Sequence, residues 1–448
     1  MDLRTVKWKL WLQNTKQFFA DKNLYELLVL FVLLMPFAFA FFMEFLRLPS
    51  LIKYTVDVVW AALAVIILCL RKKRADKHIL WLVSIASIFF LLTLVGFAFN
   101  FQSVWYYLWG MRNNLRYFVF FFACIWLLRG KSAAEYFKLF DGIFWINFAL
   151  VLFQFIFLGK KQDFLGGIFG TQVGCNGYMN IFLCIVAAQV LLLYMSHQKG
   201  LKPTLVKLGV ILLIAALSEL KMFFVELVLI ALLVMLMTSF SLHNLKIIGG
   251  ILAGIFVAIQ IVSWIFPQFA GWFNIASMWE TATSAGGYTG KGDLNRLTAI
   301  PIILRDYLPT WFEKLFGLGL GNCDQASYEF LVTPFFRANA HLHYNWFSSA
   351  FLVLETGIVG LLLYLSFFGA VFWFAHKREK SGAADVLHCR LAKIMALLVP
   401  LLVIYNASMR IEAAYMLYFI LALPFVSPGE KNLHFKRTKK KEGERTNA

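Results

Sequence analysis

Eight basic side chains fall in segments that are predicted to lie on one side of a membrane. They are Arg112, Arg116, Lys221, Arg296, Arg305, Arg337, His341 and His343. Cations on one side of the membrane suit a ligand with several negative charges, such as the pyrophosphate of a phosphorylated lipid. A guanidinium group can donate two parallel hydrogen bonds to two phosphate oxygens. A histidine among them could accept a proton from a sugar hydroxyl, since imidazole titrates near neutral pH. The pattern therefore predicts a polyanion site that also contains a base.

Several of these residues also have purely structural explanations. Arg112 and Arg116 stand at the start of a predicted helix, where their side chains could reach lipid headgroups. Lys221 could instead pair with Glu219 in the tight turn between two apolar helices, because an isolated charge near the membrane boundary is costly. Both interpretations stay open for these three cations.

The segment from Leu294 to Leu308 has a helical pattern that includes two of the arginines. Arg296 and Arg305 are nine residues apart and would lean toward different faces of such a helix, so we expect one of them to face the site, and we favour Arg296. His341 and His343 are separated by one residue and cannot share a helical face. A loop histidine is often structural, which is the alternative for both.

Membrane helices are the elements that must position these residues. The sequence is 61% hydrophobic and 15% charged, with a mean hydropathy of +0.73, which excludes an ordinary water-soluble globule. A helix needs about 20 mainly apolar residues to cross a bilayer, and such windows recur along the chain. The predicted helices are 24–46, 54–70, 79–99, 113–128, 140–158, 177–195, 205–217, 221–240, 246–266, 344–375, 391–406 and 412–426. The fold class is therefore predicted to be all-α, a polytopic bundle of about twelve transmembrane helices.

Basic residues are distributed unequally between the two sides of these helices. With a cytoplasmic N-terminus, roughly two thirds of the 42 Lys and Arg residues lie in cytoplasmic segments, where basic residues near helix ends are retained. Both termini of this multi-pass cell-membrane protein are thus predicted to be cytoplasmic. The net charge of +18 follows from this retention and from attraction to anionic lipids, so we expect no nucleic-acid partner.

One predicted connection is far longer than the others. Residues 267–343 form an extracytoplasmic loop that is rich in Gly and Trp and contains short helices, and a loop of this length is usually functional. The predicted divisions of the chain are a cytoplasmic amphipathic N-terminus (1–23), nine helices (24–266), the functional loop (267–343), three helices (344–426) and a basic cytoplasmic tail (427–448).

No metal site or cofactor is expected. The six cysteines show no CxxC or Cys/His spacing, and no carboxylates of the loop form a DxD-like pair. These dispersed carboxylates are Glu280, Asp293, Asp306, Glu313, Asp324 and Glu329. Only Cys175 and Cys323 fall in predicted outer loops, where they could form a disulfide or remain two free thiols.

Short motifs occur in a fixed order along this topology. They are Phe169-Gly-Thr171 with Asn176, the turn from Ser218 to Lys221, Gly317-Leu-Gly-Leu-Gly321, His341-Leu-His343-Tyr-Asn345 and Leu354-Glu-Thr-Gly357. Together they resemble the signature of the O-antigen ligase and polysaccharide polymerase superfamily. The chain departs from that signature at Lys221, where Arg is usual, which keeps the charge but loses the bidentate fork. The interval between the histidines and Glu355 is longer than usual, and of the two we favour His343.

The resemblance implies a C-type membrane glycosyltransferase that uses neither metal nor nucleotide. Its donor would be an undecaprenyl pyrophosphate-linked oligosaccharide. Lys221 and Arg296 would stabilise the leaving pyrophosphate, and His343 would act as the base. Other substrate contacts would come from Arg112, Arg116, Asn176, Arg305, Arg337 and His341. Membrane lipid and a chain-length regulator or export machinery are the expected partners.

Functions outside polymerisation stay open at this point. The version of the motif around Asn176 favours a polymerase of capsular, extracellular or O-antigen-type polysaccharide over a ligase with a different acceptor. A secondary transporter would have a similar helix number but predicts ionisable residues at matched positions in two halves, and Glu226 and Glu355 are not so matched. A flippase for lipid-linked oligosaccharides would need a cationic cavity that is reachable from both sides of the membrane.

Overall fold

The computed structural model describes residues 22–69, 76–238, 288–289, 292–326 and 328–426, together with scattered residues between 249 and 264. Within these residues the chain is helical, and the only β-type pairing is an isolated antiparallel bridge between Tyr288 and Leu294. The all-α fold class predicted from the sequence is therefore confirmed for this part of the chain. Nearly all of the predicted N-terminus, about half of the predicted ninth helix, most of residues 267–291 and the C-terminal tail lie outside the described residues.

The α-helices of the described residues differ widely in length. In chain order they are α1 (Leu24–Ala40), α2 (Thr55–Cys69), α3 (Lys77–Phe99), α4 (Val104–Leu127), α5 (Ala134–Phe157), α6 (Cys175–Met195), α7 (Leu201–Leu217), α8 (Lys221–Met237), α9 (Ala299–Ile302), α10 (Trp311–Phe316), α11 (Pro334–Asn339), α12 (Ser348–Lys380), α13 (Val386–Tyr405) and α14 (Ala414–Val426). The π-helical segments are Phe41–Phe45 and Ile303–Tyr307, and the 3₁₀ segments are Ser50–Tyr54, Gln162–Phe164, Gly167–Phe169, Glu329–Leu331, Ala340–Leu342 and Tyr344–Trp346.

Seven helical stretches among the described residues are long and apolar enough to cross a membrane. They are Leu24–Phe45, Ser50–Cys69, Lys77–Phe99, Ala134–Phe157, Cys175–Met195, Ser348–Lys380 and Val386–Tyr405. α14 is apolar but shorter, and α7 and α8 have 17 residues each. α4 carries Arg112 and Arg116 among its apolar residues. The chain thus has the helices of a membrane-embedded protein.

Two predicted helices differ clearly from the observed ones. α4 begins at Val104 rather than at residue 113, because its first turns are aromatic and polar and lack the high hydropathy used to place it. The helix predicted over residues 294–308 begins only at Ala299, and a turn precedes it. Pro301 has no backbone N–H and is tolerated only in the first turn of a helix, which explains the later start. Arg296 therefore lies in the turn before the helix and not on a helical face shared with Arg305.

α6 occupies the interior of the bundle, whereas α2 lies at its periphery. Nearly every residue of α6 is buried, and the helix packs against α7, α8 and α13. In α2 only Val56 and Leu63 are buried. The enclosure of α6 allows it to carry polar groups without lipid contact, since Asn180 donates a hydrogen bond to buried Glu226 of α8 at 2.8 Å.

Charged side chains mark the two ends of the bundle. At one end Lys22 and Lys131 lie within 4.0 Å of Glu26, and Arg378 pairs with Asp76. The opposite end carries the first residues of α2, α4, α6, α8 and α12 and the last residues of α13. The candidate site lies at this second end, which the charge distribution predicts to face outward.

The glycine-rich segment Gly317–Gly321 packs against an interruption of α12. Gly319 N–H donates a hydrogen bond to the Glu355 carbonyl at 3.1 Å. α12 departs from helical geometry at Gly357, where φ is +65°. A Cβ atom on Gly357 would lie 2.3 Å from the carbonyl oxygen of Leu315. Close backbone packing therefore explains the glycines of both motifs, and it joins the functional loop to a membrane helix.

Replacing Gly357 by Ala is expected to destabilise the fold by about 1–3 kcal/mol or more, because the new methyl group meets backbone and the left-handed φ is strained. The temperature of unfolding in detergent measures the effect. Gly369, in the same helix, has no heavy atom within 4 Å of its Cβ position. Gly369→Ala should therefore leave the unfolding temperature unchanged or raise it slightly, and an equal decrease in both variants would contradict this account.

Candidate functional site

His343 is fixed by two neighbours in a turn just before α12. Its backbone has a φ of +51°, in the left-handed region. Its Nδ1 atom lies 2.8 Å from Oδ1 of Asp293, and its ring stacks on Trp346 with centroids 4.1 Å apart. The side chain is 40% exposed, so the ring remains accessible while one of its nitrogens is occupied. The geometry leaves Nε2 as the nitrogen that can contact a ligand.

The turn that carries Asp293 is held by hydrogen bonds of its backbone N–H and carbonyl groups. Asp293 N–H donates to Thr289 Oγ1 at 3.1 Å, and Thr289 N–H donates to the Asp293 carbonyl at 2.8 Å. Leu294 N–H donates to the carbonyl of Leu342, next to His343, at 3.0 Å. These bonds align the two segments side by side, and they place Asp293 opposite the histidine.

Lys221 stands at the start of α8 and is paired within its own turn. Its Nζ lies 2.6 Å from Oε1 of Glu219, whose φ is +54°. Ser218 Oγ donates to the carbonyl of Leu165 at 2.8 Å, which fixes the turn against the connection between α5 and α6. The sequence left open whether Lys221 pairs with Glu219, and the structure shows that it does.

Arg296 lies over an aromatic ring and within electrostatic range of Lys221. Its guanidinium carbon is 4.7 Å from the centre of the Tyr405 ring, at the end of α13. Arg296 and Asp163 both act electrostatically on Lys221, the arginine by repulsion and the aspartate by attraction. Within the described part of the chain Arg296 forms no ion pair, and its side chain is exposed.

Asn176 joins this group through Asp163. Its Nδ2 atom donates a hydrogen bond to Oδ1 of Asp163. We call Asp163, Asn176, Glu219, Lys221, Arg296 and Tyr405 the Lys221 cluster. The two positive charges of the cluster equal its two negative charges. However, the ion pair within the cluster joins Glu219 to Lys221 and leaves Arg296 out. The charge of Arg296 is therefore the one available to an incoming anion.

Arg410, in the connection between α13 and α14, is the centre of a buried ionic network that the sequence did not reveal. It lies 2.9 Å from Asp324 and 3.4 Å from Glu355, and its guanidinium carbon is 3.5 Å from the centre of the Phe351 ring. Asn113 Nδ2 donates to the same oxygen of Asp324 at 2.6 Å. This Arg410 network connects the functional loop, α4, α12 and the α13–α14 connection.

Arg112 and Arg116, predicted to contact substrate, are both engaged in internal ion pairs. Arg112 contacts Oδ2 of Asp57 through Nη2 at 2.6 Å and through Nε at 3.1 Å. Arg116 is buried, with Nη1 3.2 Å from Oε1 of Glu412. Tyr178 OH donates to the other oxygen of Glu412 at 2.5 Å. Arg112 keeps partial exposure, whereas Arg116 does not reach the surface.

Arg305, Arg337 and His341 lie on the exposed surface of the functional loop. Arg305 contacts its neighbour Asp306 through two nitrogens, and this hydrogen bonding holds the pKa of Asp306 below its ordinary value. Arg337 pairs with Glu329 at 2.9 Å. The structure does not place these three side chains among the named contacts of the Lys221 cluster.

Cys175 and Cys323 are free buried thiols, so the disulfide alternative is not the observed one. Cys175 Sγ donates to the carbonyl of Asp163, and the carbonyl of Cys323 accepts from Tyr344 OH at 2.5 Å. Burial raises the pKa of the Cys323 thiol well above its ordinary value. Among the described residues no group of three or more His, Cys, Asp or Glu side chains is arranged to bind a metal ion.

The sequence did not indicate which charged side chains contact the predicted site residues. In the sequence, Asp293 and Asp324 are only two of the dispersed carboxylates of the loop. Arg410 and Glu412 stand in a short connection without a motif. Their position indicates that they are paired. An Arg-Ile-Glu sequence between two apolar helices is energetically costly unless its charges have partners.

No protein-family model and no curated protein matches this chain. Its function must therefore be inferred from the geometry and chemistry of the site.

Proposed function

We propose that this chain is a membrane glycosyltransferase that transfers a glycan from a polyprenyl pyrophosphate to a hydroxyl group of another lipid-linked glycan. One observation carries the proposal. The short segment from Asp293 to Arg296 contacts His343 at its first residue and brings Arg296 within electrostatic range of Lys221 at its last. The segment thus links the histidine at one of its ends to two cations at the other.

In the proposed reaction the acceptor hydroxyl oxygen attacks the anomeric carbon of the donor sugar. The bond from that carbon to the pyrophosphate oxygen breaks, and its electron pair leaves with the pyrophosphate. His343 accepts the hydroxyl proton at Nε2, while Arg296 and Lys221 stabilise the negative charge that develops on the leaving group. The products are a lengthened glycan and a free polyprenyl pyrophosphate.

Arg296 and Lys221 differ in the contacts that they make before the donor binds. Arg296 has an exposed guanidinium that can match two pyrophosphate oxygens at once. Lys221 is paired with Glu219, so its ammonium group must exchange the carboxylate for a phosphate oxygen when the donor binds. This exchange replaces one anionic partner by another and leaves the ammonium charge neutralised throughout.

The remaining predicted residues take supporting positions in this proposal. Arg305, Arg337 and His341 are exposed on the functional loop and are suited to contacts with the glycan. Arg112 is available for a lipid headgroup through its exposed edge, and buried Arg116 supports the shape of α4. Trp346, stacked on His343 and half exposed, offers an aromatic face on which a sugar ring can stack.

We also propose the membrane arrangement that this reaction requires. Twelve spanning helices with both termini in the cytoplasm would turn the site end of the bundle toward the extracytoplasmic leaflet. The donor's polyprenyl chain would then stay in the bilayer while its pyrophosphate reaches Arg296. The arrangement suits polymerisation of capsular, extracellular or O-antigen-type repeats, and the same chemistry would serve a ligase if the acceptor differed.

Chain growth in proteoliposomes tests the proposed function. The purified full-length protein is expected to convert radiolabelled undecaprenyl pyrophosphate-linked repeat into a ladder of longer lipid-linked products, and His343→Ala should produce none. Addition of a second, differently labelled acceptor separates ligation from polymerisation. Translocation of the labelled lipid without growth, or no growth at all, would contradict a transferase.

A further inference from the structure

We infer that Asp293 is a positioning residue for glycan transfer, which fixes the tautomer and orientation of His343 and stabilises its protonated form. This inference rests on the proposed function, because it assigns a task to a base that the proposed reaction uses. It concerns a carboxylate in the functional loop that has no role in the reaction as described above.

The contact has the geometry of an orienting carboxylate. Oδ1 of Asp293 lies 2.8 Å from Nδ1 of His343, and the Asp293 side chain is 16% exposed against 40% for the histidine. The carboxylate can only accept a hydrogen bond, so Nδ1 of the neutral ring carries the proton. Nε2 is then the unprotonated nitrogen, as a base requires.

The surroundings of the pair restrict its movement. Trp346 lies parallel to the imidazole on one face, with an interplanar angle of 22°. The left-handed backbone at His343 and the bond from Leu294 N–H to the Leu342 carbonyl fix the two backbones relative to each other. Asp293 holds the imidazole at one edge, and Trp346 holds it at one face. The ring therefore keeps one orientation, which lowers the entropic cost of the proton transfer.

Proton transfer gives Asp293 a second task. When Nε2 accepts the proton from the acceptor hydroxyl, the imidazole becomes a cation between Asp293 and the substrate. The negative charge of Asp293 offsets this new positive charge, and the proton on Nδ1 stays where it is. Arg296, three residues further along, acts on the opposite charge, which develops on the pyrophosphate.

The Asp293→Asn variant tests the inference because it preserves shape and removes charge. An asparagine amide can donate to Nδ1 and thereby favour the tautomer that carries its proton on Nε2. We expect the kcat of chain growth to fall about 100-fold or more while KM for the donor changes little, by analogy with other orienting carboxylates. Asp293→Glu should recover part of the rate, since it restores the carboxylate.

Nitrogen NMR of labelled histidine gives a readout that a merely structural role would not change. In the wild-type chain the His343 signal should show a protonated Nδ1 and an unprotonated Nε2, and in Asp293→Asn this pattern should be lost while the unfolding temperature stays close to that of the wild type. Glu313→Gln is the matched control, because Glu313 is a loop carboxylate that accepts hydrogen bonds from Thr310 and does not contact His343. It should preserve both rate and tautomer.

The outcomes separate this inference from the function on which it rests. Loss of rate together with a changed tautomer in Asp293→Asn supports it. An active wild type whose Asp293→Asn variant keeps its rate overturns the role of Asp293 and leaves the transferase proposal intact, as does a loss of rate with an unchanged tautomer. A wild type that transfers no glycan overturns the proposed function itself, and the inference with it.

Discussion

Arg296→Ala is expected to reduce the rate of glycan transfer by about 100-fold or more, the effect of removing one preorganised group that stabilises transition-state charge. Arg296 is the exposed cation of the Lys221 cluster, and its guanidinium stacks on Tyr405 in advance of any ligand. Charge on the pyrophosphate increases as the sugar–oxygen bond breaks, so the guanidinium acts mainly on the transition state. We therefore expect kcat to fall more than KM rises in initial-rate measurements of chain growth.

Two matched variants make this result specific. Arg296→Lys keeps the charge but loses the paired donors, so its rate should lie between those of the wild type and the alanine variant. Lys314→Ala removes a cation of α10 that stacks on Trp311 within the same loop, and its rate should equal that of the wild type. Chain growth by Arg296→Ala within a few-fold of the wild-type rate would rule out Arg296 as the main anion contact.

Arg410→Ala is expected to lower the free energy of unfolding by about 3–5 kcal/mol, because removal of one partner leaves buried charges unpaired. Asp324 and Glu355 would both lose their cation, and each is almost fully buried. The guanidinium also fills the space above the Phe351 ring. Thermal unfolding in detergent, followed by loss of monodisperse protein, measures the change.

The exposed ion pair between Arg337 and Glu329 provides the control for this prediction. Both side chains are more than half exposed, so Arg337→Ala should cost less than about 1 kcal/mol. The contrast depends on burial and not on the number of charges removed. Equal unfolding temperatures for the two variants would show that the Arg410 network contributes little to stability.

Hydropathy predicted the membrane helices well because it is a local property. The predicted helix 177–195 corresponds to α6, which begins at Cys175 and ends at Met195. α4 was placed nine residues too late, since its first turns carry aromatic and polar groups whose helical state depends on contacts with the rest of the bundle. The helix predicted over residues 294–308 contains Pro301, whose missing N–H is a local signal for the later start at Ala299.

The residue types of the candidate site and the local pair of Lys221 with Glu219 could be predicted, but the pairing of residues distant in the chain could not. The sequence predicts Lys221, Arg296 and His343 as site residues because cations and a histidine have clear chemical uses on one side of a membrane. Whether Asp293 pairs with His343 depends on how a separation of 50 residues is closed by the hydrogen bond from Leu294 N–H to the Leu342 carbonyl. Such long-range contacts leave no periodic signal in a single sequence.

Substitutions are expected to be tolerated differently in α6 and α2, because the two helices have different environments. A side chain of α6 touches protein on nearly every side, so a change of its volume has to be accompanied by a compensating change in α7, α8 or α13. Most side chains of α2 face outward, where one apolar group replaces another at little cost. Orthologous chains should therefore diverge early and independently along α2, and slowly, in correlated pairs, along α6.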